Sequence, residues 1–594
     1  MHIITTEQWI IFGTLLLTLI LFITGRWRYD LVALIALLIV TLTGLIPVEH
    51  AFTGFSNSAV VTVAAVLVLS RGLQNSGVVD MIGERLSRLK GGITIQLAAL
   101  TGLVAVLSAF MNNVGALALL LPVVLQLARR KQIPASSLLM PLAFASLLGG
   151  MTTLIGTPPN IIAASFREGT GAEPFGMFDF TPVGGGIAVA GLLFIVLIGW
   201  RLIPSRRARD SSDDLFDIEN YITEVRLSKE SRLNGKRLSE VDDFSKAEIL
   251  IIGLVRGSER RMEPSAHTKL QADDILIVSA GVENIKKLAG ISGLELVGSE
   301  EIHREDLESD EVALLEAVVM PDSLMTGNTA RSLDLRAKYG VNLLAISRQG
   351  RILRRRLDRI RFQNGDVLLL QSHTETLKRV IETLGCLPLA GRDLHIGQPR
   401  QMVLALLIFI SALAAAALGF VPVQISVVAA VLLMVMTKLV SLQEAYEKVD
   451  WPIIILLGAM IPVGSALETT GGARLIANSI LQISDRIPAA VTLVIILVAT
   501  MFLSDLVNNA AAVVLMAPIG ISIAQGMDVS IDPFLMAITI GASCAFLTPI
   551  GHQSNTLVMG PGGYKFGDYW RMGLLLEIII AVVAIPLILI FWPL

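Results

Sequence analysis

Long apolar segments with almost no charge are the feature that most limits how this chain can fold. Segments of membrane-spanning length recur along it, among them 10–23, 183–202, 402–418 and 574–591. Only 16% of the residues are charged, whereas soluble proteins carry about 25%. Because backbone polar groups in hydrocarbon must be satisfied within the chain, such segments form helices. We therefore predict a polytopic α-helical membrane protein.

A charge-rich stretch from about residue 201 to residue 400 separates two apolar halves of similar size. Its density of Arg, Asp and Glu is typical of a domain in water. The predicted domains are a first transmembrane repeat over 1–204, two small domains over 215–300 and 305–392, and a second transmembrane repeat over 400–594.

The two apolar halves repeat each other at a nearly constant offset. Residues 49–77 parallel 443–471 at an offset of 394, and TLIGTPPN at 153–160 parallels TPIGHQSN at 548–555 at an offset of 395. The pair Asn112-Asn113 parallels Asn508-Asn509 at an offset of 396. Three blocks in the same order predict two structurally equivalent halves.

Basic residues are distributed unequally between equivalent breaks of the two halves. The first half carries Arg26, Arg28, Arg85, Arg88, Lys90, Arg129, Arg130 and Lys131 in its breaks, whereas the matching breaks of the second half carry only Arg486. Since cytoplasmic loops are enriched in Lys and Arg, equivalent loops face opposite sides. This predicts an inverted repeat, which is typical of secondary transporters.

The topology that follows has five crossings and one re-entrant hairpin in each half. The first hairpin covers 92–128; two ordinary helices joined by a polar turn are the alternative. We expect a multi-pass protein of the cytoplasmic (inner) membrane with both termini outside and residues 205–400 in the cytosol.

Asparagines at the two hairpin tips and a Thr-x-x-Gly-x-x-x-Asn pattern in each later break are the candidate site. Asparagine is costly to bury without partners, and irregular backbone at membrane depth occurs where protein or a cavity satisfies it. Carbonyl and side-chain oxygens suit a hard cation such as sodium, and helix N-termini suit an anion. We expect two related half-sites with one cation each and an anion between them. The alternative is that these side chains only hold helices together.

Asp505 is a carboxylate at membrane depth and is therefore a candidate functional residue. Its counterpart in the first half, Ala109, is apolar. Asp505 has three possible roles: binding a cation, carrying a proton or bracing the hairpin. His552 is expected to be a loop histidine with satisfied hydrogen bonds.

The chain lacks the sequence features of an enzyme or a nucleic-acid-binding protein. Neither half offers a nucleophile–base pair, a metal triad or a phosphate loop, and Cys386 and Cys544 lack metal-ligand spacing. Net charge is near neutral, without a basic stripe for nucleic acid. No tightly bound cofactor is expected.

These hairpins and breaks resemble those of the divalent anion/sodium symporter family, whose hairpin tips carry Ser-Asn-Thr. Asn113 and Asn509 match the central residue, Ser554-Asn555-Thr556 resembles a family signature, and Asp505 stands where the family commonly has Glu. The resemblance implies two sodium sites, an elevator motion, a homodimer and a dicarboxylate or sulfate as substrate. The flanking hydroxyls are replaced here, which favours sulfate or another small oxyanion over a di- or tricarboxylate.

The resemblance assigns roles residue by residue. The implied sodium ligands are Asn113, Thr153, Gly156, Asn160, Asn509, Thr548, Gly551 and Asn555. The implied substrate-binding residues are Asn112, Asn113, Val114, Asn508, Asn509, Ala510, Thr157, Ser554 and Thr556.

The charge-rich middle stretch contains a second repeat at an offset of 92. LQADDILIV at 270–278 parallels FQNGDVLLL at 362–370, which aligns Asp274 with Asp366 and is followed by predicted helices at 282–288 and 374–384. The copies resemble the C-terminal module of potassium-conductance regulators (TrkA-C-like), a small α/β fold that dimerises and senses small ligands such as cyclic dinucleotides. A purely structural insert is the alternative. The basic segment 348–361 is interpreted first as a charged strand-and-turn face, with contact to anionic lipid or a ligand as the alternative.

Sodium-coupled uptake of a small divalent anion is the function these observations favour. A sodium/proton antiporter that uses Asp505 is the first alternative. A regulated channel, suggested by the middle stretch alone, is the second.

Overall fold

A computed structural model describes most of the chain. It covers residues 5–24, 27–77, 92–131, 133–204, 222–238, 250–256, 259–262, 267–279, 294–296, 312–321, 323–348, 351–353, 357–373, 380–381, 383–389, 399–447, 449–476 and 488–594. The chain divides into a helical unit, formed by Met1–Ser205, Asp393–Val558 and Lys565–Leu594, and a second unit, formed by Arg206–Arg392 and Met559–Tyr564.

Eight helices form the described part of the first half. They are α1 (Thr6–Thr24), α2 (Tyr29–Leu42), α3 (Ser58–Asn75), α4 (Ile93–Ser108), α5 (Asn113–Lys131), α6 (Ser136–Gly150), α7 (Pro158–Gly169) and α8 (Thr181–Leu197). Local chemistry explains several of the boundaries. Asn57 caps α3 by accepting the Ala59 N–H at 2.8 Å, and Pro158 begins α7, where its missing N–H costs nothing.

The second unit contains ten described strands and the short helix α9 (Leu335–Tyr339). The first five strands are β1 (Ile222–Leu227), β2 (Leu250–Arg256), β3 (Glu259–Met262), β4 (Ile275–Ser279) and β5 (Leu294–Leu296). The others are β6 (Val312–Val319), β7 (Asn342–Arg348), β8 (Arg351–Ile352), β9 (Val367–His373) and β10 (Cys386–Pro388).

These strands form two antiparallel sheets of the same topology. The orders are β3-β2-β4-β1-β5 and β10-β6-β9-β7-β8, which coincide when each strand is matched to the one five places later. Glu224 pairs with Ile277 as Glu316 pairs with Leu369, so the register also follows the offset of 92. The repeat seen in the sequence is therefore a repeat of structure. The predicted helix at 282–288 lies outside the described residues, as does most of the one at 374–384.

One buried ion pair recurs in both sheets. Arg256 Nε lies 2.8 Å from Asp274 Oδ1, and Arg348 Nε lies 2.8 Å from Asp366 Oδ1. Both Asp side chains are only 1% exposed. Each aspartate also accepts a backbone N–H, from Gln271 or Gln363, so removing it leaves that donor and the partly exposed arginine without their partner, which costs a few kcal/mol. The aligned aspartates therefore stabilise their own sheets.

Replacing Asp366 with Ala should expose Cys386, which lies in the core of the same sheet. Burial raises the pKa of the Cys386 thiol to about 12. At pH 8 the thiolate fraction is therefore on the order of 10⁻⁴, and alkylation requires local opening. A loss of about 3 kcal/mol of stability should raise the alkylation rate at Cys386 ~100-fold.

Peptide mass spectrometry at pH 8 locates and times this alkylation. Asp274→Ala, which breaks the equivalent pair in the other sheet, is the matched control and should change the Cys386 rate less than about twofold. Equal acceleration by both variants would contradict independent opening of the two sheets.

The second half of the helical unit repeats the order of the first. Its helices are α10 (Pro399–Ala417), α11 (Val423–Met436), α12 (Leu442–Glu447), α13 (Trp451–Thr469), α14 (Ala489–Leu506), α15 (Asn509–Gly526), α16 (Asp532–Ser543), α17 (Gln553–Met559) and α18 (Trp570–Phe591). Helices α1 to α8 correspond in order to α10, α11, α13, α14, α15, α16, α17 and α18.

Helix packing exchanges partners between the two halves of the helical unit. Helix α2 packs against α13, and its counterpart α11 packs against α3. Within each half α4 packs on α6 and α14 on α16, whereas α8 packs directly on its own counterpart α18. Each of these contacts in one half therefore has its counterpart in the other half.

Seven helices among the described residues are long and apolar enough to cross a membrane, and six shorter apolar helices accompany them. Many of their large apolar side chains are exposed, including Leu38, Leu407, Ile410, Leu432 and Val582. Exposed apolar surface on this scale fits contact with lipid rather than water. The prediction of a multi-pass helical protein is supported at this level.

Candidate functional site

The first hairpin tip is the turn between α4 and α5. The Asn112 side-chain oxygen accepts the Val114 N–H at 3.1 Å and so caps α5. Asn113 is only 3% exposed, and its Oδ1 accepts the Ser108 hydroxyl at 2.6 Å. The two asparagines therefore have different roles: one begins the helix, and the other faces the end of α4.

The second tip, between α14 and α15, repeats these bonds. Asn508 Oδ1 accepts the Ala510 N–H at 2.9 Å, and Asn509 Oδ1 lies 3.1 Å from Ser504 Oγ, whose hydroxyl also donates to the Ala542 carbonyl oxygen. Ser108 and Ser504 were not among the site residues predicted from the sequence. A serine five residues before the second asparagine, repeated at the offset of 396, is the signal that could have identified them.

The break between α6 and α7 docks onto the first tip. The Thr153 hydroxyl donates to the carbonyl oxygen of Ala109 in the hairpin turn. Within the break, Asn160 Nδ2 donates to the Thr153 carbonyl at 2.7 Å and reaches the Gly150 carbonyl at 3.5 Å. The Asn160 amide thus ties the start of α7 to the end of α6 and to the break, while the Thr153 hydroxyl joins the break to the tip.

The break between α16 and α17 is held in the same way. The Thr548 hydroxyl donates to the Asp505 carbonyl at 3.0 Å. Asn555 Nδ2 donates to the carbonyls of Ala545 at 2.7 Å and Thr548 at 3.1 Å. The expected pairing of each break with its own hairpin tip is therefore present in the described structure of both halves.

Carbonyl oxygens converge around the glycine of the first break. A Cβ atom added to Gly156 would lie 2.4 Å from the Gly150 oxygen and 3.0 Å from the Ala109 oxygen. A Cβ added to Gly150 would lie 2.4 Å from Asn113 Oδ1. Only hydrogen fits at these two positions, which lets several oxygens approach one point.

The second break is slightly different. A Cβ at Gly551 would lie 2.9 Å from the Ala545 Cβ and 3.1 Å from the Ser504 oxygen. Ala545 stands where the first half has Gly150, so this half-site tolerates one more methyl group. The two breaks are therefore related but unequal in the space around their glycines.

Four buried polar atoms at these positions have no hydrogen-bond partner within the part of the chain that the structure describes. They are the acceptors Asn160 Oδ1 and Asn555 Oδ1 and the donors Asn509 Nδ2 and Ser554 Oγ. Buried polar groups are almost always satisfied, so such atoms point to a ligand. The orphaned acceptors suit a cation, and the orphaned donors suit an anion.

Other residues implied by the resemblance already have partners or contribute through their backbone. The Thr556 hydroxyl donates to the Pro549 carbonyl at 2.6 Å. The N–H groups of Val114 and Ala510 are those capped by the asparagines. Thr157 stands at the N-cap of α7, but its side chain makes no capping bond.

Asp505 and His552 flank the second half-site. Asp505 Oδ1 accepts the Leu547 N–H at 3.0 Å, and its Oδ2 has no partner. His552 Nδ1 accepts the Ser554 N–H at 3.0 Å, as expected of a histidine with a satisfied nitrogen. Among the described residues no group of three or more His, Cys, Asp or Glu side chains could hold a metal ion.

The chain matches known proteins along most of its length. The family model described as a citrate transporter (CitMHS) matches residues 19–541 and 489–594. An uncharacterized transporter of Synechocystis is 32% identical over 97% of this chain and 95% of its own length. The uncharacterized transporter YfbS of Escherichia coli is 30% identical over 98% of this chain and 99% of its own length.

A more distant relative bears a functional name. The probable sodium/sulfate cotransporter 3 of Chlamydomonas reinhardtii is 21% identical over 91% of this chain and 83% of its own length. These names indicate a transport function rather than an enzymatic one, and they support the resemblance to anion transporters at this coarser level. The TrkA-C-like assignment of residues 215–392 stays a prediction. By the extent of the family match, the chain belongs to the citrate transporter family.

Proposed function

We propose that this protein is a secondary active transporter that couples uptake of a small divalent anion to sodium. The observation that carries the proposal is a buried side-chain oxygen without a hydrogen-bond donor on both Asn160 and Asn555 in the described structure. In both halves the amide nitrogen of the same asparagine donates to the threonine carbonyl of its break. Two equivalent oxygens without donors suit two equivalent cation sites.

Each sodium site is proposed from oxygens of one hairpin tip and one break. In the first half these are Asn113, Thr153 and Asn160 with the backbone at Gly156. In the second half they are Asn509, Thr548 and Asn555 with the backbone at Gly551. Uncharged oxygens on irregular backbone are suitable ligands for a hard monovalent cation, and the absence of a Cβ at Gly156 keeps the space for it.

The anion is proposed to bind between the two tips, where donors remain free. Asn509 Nδ2 and Ser554 Oγ are buried donors without partners. The first turns of α5 and α15 add backbone N–H groups and the positive ends of two helix dipoles. Asn112, Asn508, Val114, Ala510, Thr157 and Thr556 complete the proposed substrate-binding set.

A sulfate-like oxyanion is the proposed substrate, with a di- or tricarboxylate as the alternative. The relative named as a sodium/sulfate cotransporter supports the first, and the family's description as a citrate transporter supports the second. The replacement of both flanking hydroxyls at each tip favours the smaller anion. Moving a dianion alone into a negative cell costs about 2.3 kcal/mol per charge per 100 mV, which two sodium ions offset.

An elevator motion of an inverted repeat is the proposed mechanism. The exchange of helix partners about α8 and α18 supports a two-fold relation. The docking of each break on its own tip supports movement of hairpin and break as one body. Five crossings with a re-entrant hairpin per half, termini outside and an inner-membrane location complete this topology.

The second unit is proposed to be a cytosolic regulator of the TrkA-C type. Its two sheets of equal order and register support a tandem pair of small domains. A small ligand such as a cyclic dinucleotide, anionic lipid at the basic segment, and homodimerisation are the proposed contacts.

Uptake into proteoliposomes tests the transport proposal. Labelled sulfate, succinate and citrate are offered with an inward sodium gradient, a potassium gradient or a pH gradient. We expect sulfate uptake that requires sodium and falls at least tenfold in Asn113→Ala and in Asn509→Ala. Gly102→Ala is the control, because a Cβ there would meet nothing within 4 Å. Equal rates of sulfate uptake with and without the sodium gradient would refute the coupling to sodium.

A sodium/proton antiporter is the second candidate, and Asp505 favours it. This carboxylate is buried, and Oδ2 lacks a donor. In that case a pH gradient would drive sodium flux without any anion, and Asp505→Asn would abolish that flux. The symporter instead requires the anion for net sodium flux.

A further inference from the structure

A second carboxylate, Glu577 on α18, lies against Asp505 inside the helical unit. The two side chains are within hydrogen-bonding distance of one another and are 4% and 8% exposed. Seventy-two residues separate them in the sequence, and neither belongs to the sodium ligands proposed above.

Each carboxylate is held by one backbone donor of the same loop. The Leu547 N–H donates to Asp505 Oδ1 at 3.0 Å, and the Phe546 N–H donates to Glu577. Asp505 Oδ2 and Glu577 Oε1 are left buried without a hydrogen-bond partner. Backbone N–H groups satisfy only one oxygen of each carboxyl group, so a proton shared between the two groups or a cation bound between them must satisfy the other oxygens.

No positive side chain compensates this pair within the described structure. The ion pairs recorded for the described residues do not involve Asp505 or Glu577, and the neighbouring titratable side chain is the buried thiol of Cys544. Two adjacent buried carboxylates require a shared proton or a bound cation between them. One cation bound between them together with the sodium of the second half-site would balance both.

The pair is an addition that the first half lacks. A Cβ on Gly184 would lie 2.2 Å from the Met151 oxygen, and a Cβ on Gly573 would lie 2.2 Å from the Phe546 oxygen. Gly184 and Gly573 therefore occupy equivalent positions in α8 and α18. Four residues after each glycine, Ala188 in α8 corresponds to Glu577 in α18. Since Asp505 matches Ala109, both carboxylates replace alanines, and the repeat alone does not explain them.

We propose that Asp505 and Glu577 form a third cation site, which binds one sodium ion. This inference rests on the proposed symport and extends it. Two symmetric sodium ions only neutralise a dianion, whereas a third gives each transport cycle one net positive charge. The membrane potential then drives uptake. The Asp505–Glu577 pair supplies the net positive charge per cycle that the two repeated half-sites alone do not give.

Isosteric amide variants test the site with the full protein. In Asp505→Asn and Glu577→Gln the side-chain oxygen can still accept the loop N–H, and the new amide can donate to the remaining carboxylate. The fold is therefore expected to persist without a cation between the two side chains. Glu468→Gln, at an exposed carboxylate on α13, is the matched control.

Charge and anion fluxes are measured together in proteoliposomes under a clamped potential. We expect one net positive charge and three labelled sodium ions per sulfate in the wild type and in Glu468→Gln. Each amide variant should carry two sodium ions and no net charge. An unchanged ratio in both amide variants, with sodium-driven uptake intact, would overturn the third site while leaving the symport itself standing.

Equilibrium binding of labelled sodium to the purified protein keeps the test decisive if a variant does not transport. Three ions per wild-type chain and two per amide variant support the site, whereas two in all proteins overturn it. If the wild type moves one net charge with only two sodium ions and responds to a pH gradient, the pair binds a proton. That result would overturn the proposal that it binds sodium. No sodium-dependent uptake at all would refute the proposed function instead.

Discussion

Gly156→Ala should lower sodium-driven anion uptake about 100-fold or more while the protein remains folded. The added methyl group would lie 2.4 Å from the Gly150 carbonyl oxygen and 3.0 Å from that of Ala109. Both neighbours are backbone atoms, which cannot rotate away, so the break must shift from the hairpin tip. Displacing a binding group by about 1 Å can cost 10²-fold in rate.

Initial rates of uptake in proteoliposomes measure this effect, with size-exclusion profiles as the check on folding. Gly102→Ala, in α4 of the first hairpin, adds the same methyl group into open space and should leave uptake within about twofold. Uptake by Gly156→Ala at the level of Gly102→Ala would mean that the carbonyls around Gly156 do not form a site.

Replacing Asn160 or Asn555 with Ala should abolish uptake and also lower stability. Each amide donates to two buried carbonyls of its break, and leaving such groups unpaired costs about 1–3 kcal/mol. The same substitution removes the orphaned oxygen proposed to bind sodium. Stability without sodium should fall, and the stabilisation that added sodium provides should shrink as well.

Thermal unfolding with and without sodium separates these two effects, because a ligand stabilises only the state that binds it. Asn75→Ala is the matched control: Asn75 Nδ2 also donates to a backbone carbonyl, that of Leu439, at 3.1 Å, but it lies outside both half-sites. It should lose stability and keep the full sodium effect. Equal sodium responses in Asn75→Ala and Asn160→Ala would refute a role for Asn160 in cation binding.

The helices and their order could largely be predicted from the sequence. The apolar segments 10–23, 183–202, 402–418 and 574–591 correspond to Thr6–Thr24, Thr181–Leu197, Pro399–Ala417 and Trp570–Phe591. The hairpin turn falls at the first Asn-Asn pair, and the break falls at the Thr-x-x-Gly pattern. These features are local: apolar length selects helices, and Asn, Gly and Pro set where helices begin and end.

The roles of individual polar atoms were harder to predict. The two asparagines at each tip look alike in the sequence. The side-chain oxygens of Asn112 and Asn508 cap helices by accepting a backbone N–H. Those of Asn113 and Asn509 lie within hydrogen-bonding distance of serine hydroxyls instead. Which lone pair remains for a ligand depends on hydrogen bonds across the turn. Composition and spacing carry no information about that distribution.

By itself, the sequence determined the class of protein, the two equivalent halves and the paired tips and breaks, because hydrophobicity, capping residues and repeats act along the chain. Only the tertiary structure decided which oxygens converge at Gly156 and that Glu577 lies against Asp505. Those contacts depend on the packing of α18 and the second break against a distant hairpin. A polar group's partners are set by the helices that packing brings beside it, and no local pattern records them.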